Sequence, residues 1–191
     1  MRVGRARIGR PPRRGQAAGR RRPSPDATDG HQDGRPTLGH TIMQINTSRF
    51  GQVDIDENRI ITFAKGLLGF PKYRRYVLIE AGQDSYFWWL QSVEMPDLAF
   101  VVTDPSLFVP TYRVPLKKEQ MDEMGIASLD EAQVFVIVNK RGDTLTGNLQ
   151  GPLVVHVGSR QAEQLVLSDR RFTTRVPLVE VGREQPVAMS A

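Results

Sequence analysis

From Met43 onward, short runs of alternating apolar and polar residues are interrupted again and again by glycine, proline, aspartate or asparagine. A period of two puts successive side chains on opposite faces of an extended strand. Interruptions this frequent leave no room for the helices that alternate with strands in a βαβ architecture. The segment "QINTSRF" predicts a strand, and "GQVDIDENRIITF" predicts two short strands broken at Asp56-Glu57-Asn58. "GLLGF", Gly66 to Phe70, reads as a glycine-bounded apolar bend. "YRRYVLIE", Tyr73 to Glu80, is a strand, "AGQD" a turn, "YFWWLQSV" a strand, "MPD" a turn and "LAFVVTD" a strand that Asp104-Pro105 ends. One segment breaks the period: "PLKKEQMDEMGI" predicts a helix with Leu116, Met121 and Met124 on its apolar side and Gly125 closing it. "QVFVIVNK" is a strand whose run Val134 to Val138 predicts burial on both faces; "RGDTLTG" is a turn, and "LQGPLVVHVG" and "EQLVLSD" are the last strands. The expected fold class is mainly β, an antiparallel sandwich or closed barrel with one short helix.

The stretch "SYFWWLQS" holds both tryptophans of the chain. On a strand Tyr86, Trp88 and Leu90 point one way, and Phe87, Trp89 and Gln91 the other, so both faces must be covered. One face lines the main core, and the other lies under a loop, the helix or another protein. Phe87 and Trp89 are expected in the core, with Trp88 near a surface groove.

Residues 1–42 differ from everything after them. They hold ten of the 26 Lys+Arg, all arginine, and three of the 21 Asp+Glu, which leaves 16 basic and 18 acidic residues in 43–191. The overall charge of +5 therefore belongs to the first stretch, and the remainder is mildly acidic. Rich in Arg, Gly and Pro and poor in apolar runs, residues 1–42 are expected to be a disordered tail, or the product of a translation start assigned too early. The expected organisation is that tail, a folded domain over 43–181 and a frayed C-terminal end over 182–191. The absence of cysteine excludes disulfides, thiolate metal sites and a cysteine nucleophile. No apolar run approaches a membrane span, and the arginine-rich start lacks the apolar core of a secretory signal, so the expected location is the cytoplasm.

Candidate chemistry is sparse. His156 lies alone on an apolar strand and reads as a packed histidine; His31 and His40 are in the tail. No nucleophile elbow, Walker loop or dinucleotide fingerprint occurs. Asp54 and Asp56 share a strand face but have no third ligand nearby. The expectation is a protein with no catalytic residues, no metal, no cofactor and no small-molecule substrate. An acidic body also opposes phosphate binding, so direct nucleic-acid binding by the folded domain is not expected. Such a surface suits a basic protein partner.

Several stretches, "MQINTSRFGQVDIDENRIITFAKGLLGF", "FWWLQSVEMPDLAFVVTDP", "LTGNLQGPLVVH" and "RFTTRVPL", resemble in order and spacing the flagellar assembly factor family FliW, from Met43 to about Glu180. Departures are Ala64, Lys65 and Leu68 in the bend, Trp88 where a smaller aliphatic residue is usual, His156 for asparagine and Phe172 for tyrosine. The resemblance implies a compact antiparallel β-barrel-like fold with a short helical addition and no enzyme activity. It also implies two protein partners: CsrA, a small basic dimer that represses translation of flagellin messages, and flagellin itself, which competes for the factor. Other readings are an RNA- or membrane-associating module acting through the basic tail, or a chaperone for flagellin only.

The expected docking surface combines the strand "LQSVEMPDLAF" with the bend "GLLGFP". The candidate partner-binding residues are Phe70, Trp88, Gln91, Glu94, Asp97 and Asp104. Phe70 is either a hot spot or a plug in the barrel end, and Gln91 either a contact or a satisfied buried amide. Glu94, Asp97 and Asp104 are either an RNA-repelling acidic rim or merely solvated.

Overall fold

The structure, a computed structural model, describes residues 41–82 and 85–181. The basic tail up to residue 40, the end from residue 182 and the tip of the "AGQD" turn lie outside the described residues. Eleven strands and one α-helix occur among them: β1 (Ile42–Thr47), β2 (Gly51–Asp56), β3 (Ile61–Phe63), β4 (Arg75–Glu80), β5 (Phe87–Ser92), β6 (Ala99–Thr103), α1 (Lys118–Met124), β7 (Ala132–Arg141), β8 (Thr144–Gly147), β9 (Leu153–His156), β10 (Gln161–Gln164) and β11 (Val176–Glu180).

The break expected at Asp56-Glu57-Asn58 is a single 3-10 turn, Glu57–Arg59, capped by the Asp56 carboxylate accepting from the Asn58 amide at 3.0 Å. The helix also forms as expected. Gly125 closes it at φ 68°, a left-handed conformation that only glycine adopts without cost. Met124 is buried, and Leu116 and Met121 pack beside it.

Strands β3 to β7 form an antiparallel meander, β10 pairs with β3, and β9 joins β10 to the first half of β7. The sheet thereby closes on itself through β7, while β8 and β11 continue outward as an extension. The result is a ring rather than a clean barrel. The β3–β10 pair is parallel, an exception in an otherwise antiparallel arrangement. Three segments differ from expectation, one of them β11, where the sequence predicts no strand. "RGDTLTG" supplies only a tight turn at Gly142-Asp143, after which Thr144–Gly147 pairs with β7 as β8. "EQLVLSD" continues β10 as irregular extended chain, with Leu165 and Leu167 buried and their amides donating to Pro152 and Gln150 carbonyls.

Three apolar clusters hold the body together. Inside the ring lie Phe63, Tyr76, Leu78, Trp88, Leu90, Val102, Phe135 and Leu153. Outside β4 and β5, the β1–β2 hairpin covers Val77, Ile79 and Trp89 with Ile45, Val53 and Ile55. Outside β7 and β9, helix α1, the chain before it and the chain after β10 cover Val136 and Val154 with Met124, Tyr112, Leu165 and Leu167. This explains the double-faced run Val134 to Val138: Phe135 and Ile137 face the ring interior, and Val134 and Val136 face the helix layer.

The tryptophan assignment reverses. Trp88, expected at a surface groove, is 7% exposed and packs edge-on against Phe135 at 6.0 Å. Its burial contributes roughly 5 kcal/mol before entropic costs. Trp89 is only partly buried beneath the hairpin, and Phe87 is half-buried against Phe108. Alternation placed the two sets on opposite faces correctly; which set faces inward depends on sheet closure.

Candidate functional site

The connection between β5 and β6, residues 93–98, carries two of the six candidate residues, Glu94 and Asp97, and Gln91 organises it. Gln91 follows Phe87 and Trp89 on one face of β5 and is fully buried. Its Nε2 lies 3.1–3.3 Å from the carbonyls of Ser92, Met95, Pro96 and Leu98. Two N–H hydrogens are thus shared among four acceptors, which fixes the amide orientation. Its Oε1 has no hydrogen-bond partner among the described residues. Gln91 acts on the connection from inside and presents nothing to a partner.

The exposed groups of this connection are held from both sides. Glu94 accepts hydrogen bonds from the Arg74 amide at 2.7 Å and from the Arg75 guanidinium Nε at 3.2 Å. Burial pushes its carboxyl up, but the Arg74 and Arg75 amides and the Arg75 guanidinium outweigh that and hold it below the usual glutamate value. Asp97 accepts from the Ser48 hydroxyl at the tip of the β1–β2 hairpin, and the Ser48 amide donates to the Pro96 carbonyl at 3.1 Å. The hairpin tip and the β5–β6 connection are therefore clamped together.

Phe70 closes the "GLLGF" bend beside this connection. It is half-buried on the ring interior, edge-on to Phe100 at 5.3 Å. The bend depends on Gly66 at φ 69°, where a Cβ would stand 2.7 Å from the Phe70 carbonyl oxygen. Leu68, at its apex, is 62% exposed. Lys65, Leu67, Leu68, Pro71, Glu163 and Gln164 line a shallow depression of about 240 Å³ next to it. Lys65 bridges Glu163 at 2.8 Å and Glu123 of α1 at 3.5 Å, and these carboxylates raise its pKa.

Asp104 stands apart. It caps the 3-10 turn Pro105–Leu107 by accepting from the Ser106 amide at 2.8 Å, and it accepts from Gln133 Nε2 at 3.1 Å. It lies across the length of β6 from Asp97, on the order of 20 Å away at strand rise. Glu94 and Asp97 share one connection, and Asp104 is not contiguous with them, so the three carboxylates form no single rim. Of the six candidates, Phe70, Gln91, Glu94 and Asp97 belong to one end of the ring, Trp88 belongs to the interior and Asp104 belongs to the far end of β6.

Sequence reasoning passed over Arg49 and Trp89 as a pair. The Arg49 guanidinium carbon lies over the Trp89 ring, 3.9 Å from its centroid, with Phe50 edge-on to the same ring at 6.2 Å. The adjacent "RF" of the hairpin tip was a signal, but it needed the hairpin's place over β5 to be read. His156, alone on its strand, accepts or donates at Nδ1 to the Ser159 hydroxyl at 2.8 Å and stands 3.9 Å from Glu131. Among the described residues no group of three or more His, Asp or Glu is placed to hold a metal ion. No helix of the described chain is long and apolar enough to cross a membrane.

The family model described as FliW protein matches residues 44–178. Curated relatives include flagellar assembly factor FliW of Bdellovibrio bacteriovorus, 42% identical over 71% of this chain and 79% of its own length. Those of Geobacter sulfurreducens, 37% identical over 72% of this chain and 87% of its own, and Natranaerobius thermophilus, 34% identical over 71% and 92%, are also similar. A crystal structure of the flagellar assembly factor FliW superposes with a TM-score of 0.66 at 31% identity, covering 72% of this chain and 97% of that one. The matched span runs from β1 into β11 and takes in the ring, the hairpin and the helix layer: this chain belongs to the FliW family.

Proposed function

We propose that this protein is a non-enzymatic flagellar assembly factor that captures the translational repressor CsrA and releases it when flagellin takes its place. One observation carries the reading: the family match occupies residues 44–178, the whole ring with its two covering layers, under a family whose relatives are named for flagellar assembly. The charge distribution supports a basic partner, since residues 43–191 hold 16 basic and 18 acidic side chains. Exchange between two mutually exclusive complexes requires no chemistry beyond binding.

The docking surface that fits this reading is the β5–β6 connection with the adjoining bend. Glu94 and Asp97 present carboxylates there, Leu68 presents an apolar side chain, and Phe70 supports the bend from within. Gln91 contributes by shaping that end from inside, while Trp88 packs the ring interior. The test is a gel shift with purified CsrA on a flagellin leader RNA. Added protein is expected to free the RNA, and flagellin is expected to restore the CsrA–RNA band. An unchanged CsrA–RNA band at saturating protein would overturn the reading.

The ten arginines in 1–42 favour a second reading, an RNA- or membrane-associating module acting through that segment. Deleting 1–42 separates the two. A truncated protein that still releases the leader RNA makes the segment dispensable for this function. If flagellin binds and CsrA does not, the protein is a chaperone for flagellin only.

A further inference from the structure

The tip of the β1–β2 hairpin places a charged side chain over an indole ring, with no ion-pair partner among the described residues. Gly51, at φ 69°, allows the tight return of the chain, and the Phe50 amide donates to Thr47 Oγ1 at 2.8 Å. Ser48 ties the tip to the β5–β6 connection through its amide and its hydroxyl. Phe50 and the hairpin's inner face fix Trp89 from below. On this support Arg49 lies over the indole at 3.9 Å. Arg49 is exposed, and no carboxylate among the described residues is in ion-pair contact with it. An arginine stacked on an aromatic face keeps the N–H edges of its guanidinium free, and those edges match a carboxylate in two parallel hydrogen bonds. The ordering of the side chain has been met within the folded protein, which lowers the entropic cost of binding.

We propose that Arg49 and Trp89 form a docking point for a protein segment that carries an aspartate or glutamate beside an apolar side chain. The carboxylate accepts from the guanidinium, and the apolar neighbour packs on the exposed part of Trp89 and Phe50. Tryptophan and arginine together are the residues most often found at the energetic centre of interfaces. Charge decides between a protein and a nucleic acid. Asp97 of the β5–β6 connection accepts from Ser48 at this tip, Asp54 is exposed on the adjoining strand, and residues 43–191 are net acidic. A single carboxylate tolerates these neighbours, whereas a polyphosphate chain would meet them repeatedly. The positive charge of Arg49 disfavours a basic segment on the Trp89 face, so this point differs in sign from the acidic surface offered to CsrA, which it adjoins through the Ser48–Asp97 hydrogen bond.

The test uses the full chain and the indole N–H resonances of its two tryptophans. The probes are acetyl-Leu-Asp-Glu-Leu-amide, the same peptide with lysine at both acidic positions, and a short single-stranded RNA. The acidic peptide is expected to shift the Trp89 indole saturably and leave Trp88 in place. Arg49→Gln is expected to weaken this by about tenfold, with Arg49→Lys in between. Arg49 is exposed, so these variants keep the fold, and an unchanged Trp88 resonance checks it. An unmoved Trp89 indole, an equal response to the lysine peptide, a stronger response to the RNA, or less than about a twofold loss in Arg49→Gln would overturn the proposal.

Discussion

Replacing Gln91 tests whether a polar residue on an aromatic strand holds the structure or meets a partner. The side chain is fully buried, and its Nε2 faces four carbonyls of the β5–β6 connection. In Gln91→Ala two hydrogen bonds at about 1 kcal/mol each are lost, and a void of the size of the amide adds about 1–2 kcal/mol. Removing the unpartnered Oε1 returns part of this, so the net destabilisation is roughly 2–3 kcal/mol. For a domain of about 140 residues that lowers Tm by roughly 5–10 °C. Gln91→Glu is worse, because a carboxylate faces the same four oxygens with no donor, and the loss exceeds about 3 kcal/mol. Thermal and urea unfolding followed by circular dichroism measure both. Partner binding, measured at a temperature where the variants are folded, is expected to weaken only as far as the connection loosens. A Tm within about 2 °C of the parent for both variants would refute the hub assignment.

Gly66→Ala places a methyl group 2.7 Å from the Phe70 carbonyl oxygen and the Pro71 Cα at a φ of 69°, and is expected to cost more than about 3 kcal/mol, seen as loss of soluble protein or a steep fall in Tm. The two buried tyrosines respond in opposite senses. Tyr76 has no partner for its hydroxyl among the described residues, and burial pushes its phenol up to about 12, so Tyr76→Phe is neutral or stabilising by up to about 1 kcal/mol in urea unfolding. Tyr112 donates to the Leu149 carbonyl at 2.7 Å, so Tyr112→Phe is destabilised by about 1–2 kcal/mol. Glu94, whose carboxyl is held below its ordinary value, contributes stability that is fully present above the unfolded-state value. That contribution is lost as pH falls through the folded one. Glu94→Gln therefore lowers Tm at neutral pH, and the gap from the parent closes as the solution is acidified; a gap that widens in acid contradicts the assignment.

Much of the fold is legible from period and punctuation. The break at Asp56-Glu57-Asn58, the Gly125 helix end and the double-faced run at Val134 to Val138 each follow from local chemistry. What stays hidden depends on contacts distant in sequence. β8 is built from "TLTG", too short and too polar to announce a strand without β7 beside it. β11 carries Pro177 and a register shift at Pro177–Val179, so the sequence announces no strand there although it lies within the expected domain. Trp88 and Trp89 exchange roles because ring closure, not alternation, decides which face is interior.

The site divides in the same way. Phe70, Glu94 and Asp97 could be gathered from the strand and bend that carry them. The capping role of Asp104 was latent in "DPS", where an aspartate before proline and serine opens a 3-10 turn. Gln91 and the Arg49–Trp89 stack required the hairpin and the β5–β6 connection to be placed against each other. No local pattern encodes that contact.

The central claim is that one folded body exchanges CsrA for flagellin by contact alone. Isothermal titration of CsrA into the protein, repeated with the protein already saturated by flagellin, measures it directly. The expected result is saturable binding in the first titration and a heat signal suppressed or displaced to higher concentration in the second. Equal CsrA binding in both, or none in either, would contradict it.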